Sequence, residues 1–218
     1  QAGLNPYERA PSDRPLSNQW DEDASPIPQR DKTAIESPLS ELLFSLVAAV
    51  YPSIGAMKLT ILIWDLLTTV ALLPWLWSAG KSEAWVLVYG VCPLTLMSFA
   101  MDGRADAMMI TWLVLAGWAS MRGQWYLCGV CVGLAVLSKS SAVVLLLWLL
   151  GRHPRSALLA LTVVLLGYLP YASAGPGLLN SIVGFEAEAF FNSLVPACLS
   201  MLVGPAPASL ICVMTLLI

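Results

Sequence analysis

The chain has 218 residues, 58% of them hydrophobic and 11% charged, with a mean hydropathy of +0.74. A soluble domain covers its surface with about 25% charged residues, so over most of this chain lipid must stand where water would. The net charge of −3 is placed unevenly: seven acids face four bases through Glu36, and seven face seven after it, with no basic run to suggest nucleic acid.

Residues 1–37 are rich in Pro, Asp, Arg and Ser and carry no apolar periodicity. They read as an irregular polar loop, longer than a compact connection needs and so a candidate functional segment. Residues 38–51 are apolar but too short to cross a bilayer, which takes about 20 residues, and read as an interfacial or re-entrant helix. Residues 56–77, 84–101, 107–121, 125–137, 142–150, 156–171 and 195–218 read as membrane helices, with Pro93, Pro170 and Pro196 expected to kink or end theirs. Between the last two lies a loop, 172–192, with an amphipathic stretch at 178–191. That stretch turns Phe185, Phe190 and Phe191 toward lipid and carries Glu186 and Glu188, either solvated or reaching a site. The fold class expected is all-α, a polytopic transmembrane helical bundle.

Orientation follows from the basic residues. Placing Lys81, Arg122, Arg152 and Arg155 in cytoplasmic turns puts the loops at 102–106, 138–141 and 172–192 on the extracytoplasmic face. Residues 1–37 lie on that face too, provided 38–51 does not cross. A single helix over 123–150 would bury Lys139 alone near mid-depth, at a cost of a few kcal/mol or more. A reversal at Lys139 avoids that burial and is the arrangement expected.

Several residues could carry chemistry. Asp102, Arg104 and Asp106 fall within five residues. They either neutralise one another, or Arg104 grips a phosphate through its planar fork while a carboxylate orients a sugar hydroxyl or a metal. Lys139, set among Ser138, Ser140 and Ser141, reads as a snorkelling cation or as a ligand for a lipid phosphate. Asp65 is an intramembrane carboxylate, hence a candidate substrate contact or a hydrogen-bonded packing residue. Lys58 on the same helix is a further candidate phosphate contact. Cys128 and Cys131 form a C-x-x-C inside an apolar run, where small-residue packing is the better reading than redox or zinc chemistry. The single histidine, His153, has no neighbours with which to build a metal site.

In order along the chain stand Gly3-Leu4-Asn5-Pro6-Tyr7, Glu36-Ser37-Pro38-Leu39, Lys58 followed by Asp65-Leu66-Leu67-Thr68, Pro93-Leu94, Gly103-Arg104-Ala105-Asp106 and Ser138-Lys139. This ordered set resembles the GT-C membrane glycosyltransferases, most nearly the bacterial glycosyltransferase 87 family and the catalytic subunit of GPI mannosyltransferase I. The resemblance implies a GT-C-like bundle that transfers a sugar, often mannose, from a polyprenyl-phosphate-linked donor to an extracytoplasmic glycan or glycolipid acceptor. It places the protein in the plasma (inner) membrane, or the ER membrane in a eukaryote. By the same resemblance Asp106 is the loop carboxylate and Lys139 the lysine that meets the lipid phosphate, assisted by Arg104 and Lys58. Asp102 and Asp65 would contact substrate, no metal ligand is assigned, and a divalent cation is a candidate cofactor. Glu36 stands where the family has an aromatic residue, and Ser140-Ser141 replaces Tyr-Pro after the lysine.

The family's main catalytic acid would precede Gln1, which is not a start residue, and the last apolar run stops at Ile218. The chain is therefore expected to be a truncated, inactive fragment in which Glu36 is a weak substitute base. Two other readings remain open: a non-catalytic GT-C homologue serving as scaffold, and a transporter or lipid flippase, which would show inverted repeats.

Overall fold

A computed structural model describes residues 5–13, 32–34, 36–175 and 178. The expected helix at 195–218 and the stretch carrying Glu186 and Glu188 lie outside the described residues. Among these the structure is all-helical, with no strand. It divides into two units, one of residues 36–169 and one formed by 2–35 with 170–218.

In the larger unit α1 (Pro38–Val50) starts with proline at its first position, where a missing N–H loses nothing. It stops at Tyr51, held extended ahead of Pro52. Helix α2 (Ile54–Ser78) is capped by Ser53, whose Oγ accepts from the Ala56 N–H at 3.1 Å. At its far end Gly80, at φ 62°, turns the chain so that the Lys81 N–H reaches the Leu76 carbonyl.

The segment read as one helix over 84–101 is broken. A 3₁₀ turn (Glu83–Trp85) runs into α3 (Val86–Gly90), and α4 (Pro93–Thr95) passes into a π-helical turn (Leu96–Met101). The two parts bend by 48°, because Pro93 supplies no N–H to bridge the break.

Next come α5 (Asp106–Met121), α6 (Trp125–Ser138), a 3₁₀ turn (Ser140–Val143), α7 (Val144–Arg152) and α8 (Pro154–Tyr168), which continues as a 3₁₀ turn (Leu169–Ala174). Helices α5 and α6 form a tight antiparallel pair about Gly123, at φ 70°. The chain reverses again at Lys139. Trp148 near the end of α7 lies back beside Trp125 at the start of α6, ring centroids 6.4 Å apart.

Helices α6 and α8 run parallel along a seam of small residues. Gly129 meets the Ser156 backbone, Gly133 lies against Ala160, and Gly167 against Leu137. A Cβ on Gly133 would stand 2.8 Å from the Ala160 carbonyl oxygen. Close backbone approach through small residues is how helices associate where no hydrophobic effect drives them. Cys128 and Cys131 face this core with Ala116, Ala119, Val132, Leu149, Ala157 and Ala160. Helices α2 and α5 are also parallel: Ile61 packs by Ala107, Thr68 bonds Thr111, and the Trp75 Nε1 donates to the Val114 carbonyl.

Among the described residues two helices are long and apolar enough to cross a membrane, α2 and Pro154–Ala174, and the bent pair makes a third if it is one span. At 25 residues α2 is about 37 Å long, and Leu59, Ile63, Leu66, Leu67 and Val70 on it are exposed. The protein is an all-α helical membrane protein.

The smaller unit is tied by Asn5, whose amide donates to the Ser173 Oγ at 2.9 Å and to the Tyr171 carbonyl at 3.4 Å. The rings of Tyr7 and Tyr171 meet edge to face at 5.2 Å.

Candidate active site

The antiparallel pairing of α5 and α6 decides which residues meet. Because the two helices are of similar length and share a tight turn, the first residue of α5 returns beside the residue that follows α6. Asp106 and Lys139, 33 positions apart, are thereby joined by an ion pair between Lys139 Nζ and Asp106 Oδ1. Arg104, from the loop ahead of α5, brings its Nε to 3.4 Å from the other carboxylate oxygen. One carboxylate thus holds two cations, and the triad carries a net single positive charge.

The backbone around Lys139 is fixed on every side. Lys139 is extended, at φ −154° and ψ 128°, and its N–H closes the last turn of α6 on Ala135. The Ser138 hydroxyl donates to the Leu134 carbonyl, and the Ser138 carbonyl accepts from the Ser40 Oγ of α1 at 2.8 Å, with both serines fully buried. Ser40 therefore pins the end of α6 to α1.

Glu36, just ahead of α1, lies in the field of the triad. Burial raises its carboxyl above the usual range; Lys139 acts against this, Asp106 adds to it, and Arg104 again opposes. One turn into α1, Glu41 is pushed up to about 7, by burial first and by the Glu36 charge second. Nothing in the motif order pointed to Ser40 or Glu41. The one available signal for Glu41 is a lone acid in an otherwise apolar run at a membrane boundary.

The remaining candidates are placed differently. Lys58 donates from Nζ to the Met101 carbonyl at 2.6 Å, and its stem lies over Gly103, where a Cβ would meet Lys58 Cγ at 3.0 Å. Gly103 sits at φ 70°, so this position needs glycine for its backbone as well as for space. Lys58 thus braces the loop that carries Arg104. Asp102 is exposed on the same loop. Asp65 lies deeper along α2, only 7% exposed, and accepts from the Tyr89 hydroxyl at 2.7 Å. It is a hydrogen-bonded member of the packing between α2 and α3, separate from the Asp106 triad.

As for a divalent cation, among the described residues no three His, Cys, Asp or Glu side chains converge. Asp106, the most central carboxylate, is already engaged by two cations. The described residues thus do not assemble a set of metal ligands.

Residues 1–153 match the family model described as alpha-(1->6)-mannopyranosyltransferase, N-terminal domain (MptA_B family). No curated protein matches, and neither does any solved structure.

Proposed function

We propose that this chain, which belongs to the alpha-(1->6)-mannopyranosyltransferase family, is part of a membrane enzyme that moves mannose from a polyprenyl-phosphate donor to a glycan or glycolipid hydroxyl. The family membership is the observation that names a mannosyltransferase; the net-positive triad is the one that carries the donor class. Departure of a lipid phosphate releases an anion, and donors already aimed where that charge develops stabilise the transition state without reorganising. Lys139 and Arg104 are such donors, held on one side by Asp106 and braced through Lys58 and Ser40.

The reaction is a direct displacement. The acceptor oxygen forms a bond to the anomeric carbon as the bond from that carbon to the phosphate oxygen breaks, and the lipid phosphate leaves with the electron pair. The acceptor's proton passes to a carboxylate. Of the two candidates, Asp106 already faces two cations. Glu36, its carboxyl raised by burial, takes the proton in this reading. Asp102, exposed beside Arg104, contacts the sugar, and the Asp65–Tyr89 pair supports the helices beneath.

The active face is extracytoplasmic in this reading. Support comes from the bases at the opposite end of the helices, where Lys81, Arg122, Arg152 and Arg155 occupy the turns. The resemblance to the glycosyltransferase 87 and GPI mannosyltransferase I enzymes belongs to the same reading. So does the family's 1→6 linkage, which implies a primary hydroxyl on the acceptor.

The test is Lys139→Ala in the full-length protein, followed by transfer of labelled mannose from a polyprenyl-phosphate donor in membranes. Turnover falls about 100-fold or more, the scale seen when one oriented donor is lost, while the melting temperature stays within a few degrees. Unchanged turnover removes Lys139 from the reaction.

A further inference from the structure

The end of the helices remote from Asp106 holds a second basic site that the transfer reaction does not use. The turn after α5 and the turn between α7 and α8 lie together there, because α6 and α8 start side by side and run parallel. A cavity of about 450 Å³ opens between them, lined by Trp125, Tyr126, His153, Pro154, Arg155 and Ser156. Its aromatic wall is built: the rings of Trp125 and His153 stack at 3.6 Å, with an interplanar angle of 23°. Arg152 and Arg122 flank it, both exposed, and Arg122 lies over the Trp118 ring at 5.3 Å.

These cations lack counter-charge in their own surroundings. The sequence holds no Asp or Glu from residue 107 to residue 185. Among the described residues none of Arg122, Arg152 and Arg155 forms a salt bridge. Glu83, beside Lys81 at the end of α2, accepts from the Trp77 Nε1 at 2.9 Å and does not line the cavity. Such a cluster of cations suits an anionic ligand.

Its other half is apolar. Directly inward from the cavity, Leu127 on α6 and Leu158, Leu161 and Leu165 on α8 are exposed, the last three at the spacing of one helix face. A cationic cavity opening onto an exposed leucine stripe matches an amphiphile, charged at one end and oily along the rest. We infer that this cavity binds the phosphate headgroup of an anionic membrane phospholipid, whose acyl chain lies along Leu158, Leu161 and Leu165. Basic pockets between membrane helices take anionic headgroups on the same physical grounds.

The test uses the full-length protein, delipidated in detergent and titrated with phosphatidylglycerol or phosphatidylcholine, with adducts counted by native mass spectrometry. One tight phosphatidylglycerol adduct is expected and no matching phosphatidylcholine adduct. Replacing both arginines (Arg152→Gln with Arg155→Gln) weakens it about 25-fold, since each cation near an anionic surface is worth about fivefold in affinity. Lys81→Gln, a cation at the same end but outside the cavity, leaves the adduct intact. Equal loss on Lys81→Gln would mean a diffuse surface field and overturn the site. Equal binding of phosphatidylcholine, or inorganic phosphate displacing the lipid at a similar concentration, would overturn it as well. Both of these outcomes are read on the wild-type protein and do not depend on whether the variant folds.

Discussion

Three carboxylates set the electrical character of the candidate site, and each does so differently. Asp106 gathers Lys139 and Arg104. Glu36 is raised by burial, against the opposing charge of Lys139. Glu41 is raised further, to about 7, with Glu36 contributing its charge. A carboxyl whose folded pKa lies above its unfolded value, near 4.5, contributes its full stability below pH 4.5 and loses it as pH rises through 7. The melting temperature should therefore fall between pH 5 and pH 8, and Glu41→Gln should flatten that decline, as differential scanning fluorimetry in detergent can show. An unchanged pH profile in Glu41→Gln would mean that Glu41 titrates no differently folded or unfolded.

At the scale of elements, the site depends on two pairings: α5 against α6, which brings Asp106 to Lys139, and α6 against α8, which packs α6 from its other side. The second is closed by glycine. Gly133→Val would force side-chain atoms against the Ala160 carbonyl and Val163, both within 3 Å of an added Cβ. We expect a loss of about 1–3 kcal/mol, the usual cost of overpacking, seen as a lower melting temperature. Gly151→Val, where an added Cβ meets nothing within 4 Å, should have little effect on packing.

These pairings also mark the boundary of what the sequence could convey. The all-helical membrane class was legible, because so few charges cannot cover a water-exposed surface, and the ordered motifs pointed to a glycosyltransferase. The approach of Asp106 to Lys139 was legible in outline, since the helices read at 107–121 and 125–137 put both loops on one face; the ion pair itself was not, since it depends on the geometry of the α5–α6 turn. The bond from Asp65 to Tyr89 crosses 24 positions and was equally hidden. So was the division of residues 84–101 into two bent parts: Pro93 announced a kink, but the π turn that follows it leaves no composition signal.

Across the described residues of the larger unit, most of the charge is sorted by end. The Asp106 triad, Glu36 and Glu41 lie at one, while Lys81, Arg122, Arg152 and Arg155 lie at the other. This arrangement predicts opposite accessibility for two exposed positions in a cysteine-free background. A cysteine replacing Ser141 should react with a membrane-impermeant maleimide on intact cells, and one replacing Gln124 only after permeabilisation. The reverse pattern would turn the protein over and move the proposed transfer to the cytoplasmic face.

The bond from Ser40 to the Ser138 carbonyl has a consequence for solvation. A helix that ends inside a bilayer normally leaves carbonyls that must find water, which keeps such breaks near the surface or inside wet cavities. Here the last carbonyl before Lys139 is satisfied by a buried protein hydroxyl. At that carbonyl the helix end needs no water to complete its hydrogen bonding. Lys139, its side chain about a third exposed, then meets its anion at an edge that water reaches, while the carbonyl behind it does not depend on that water.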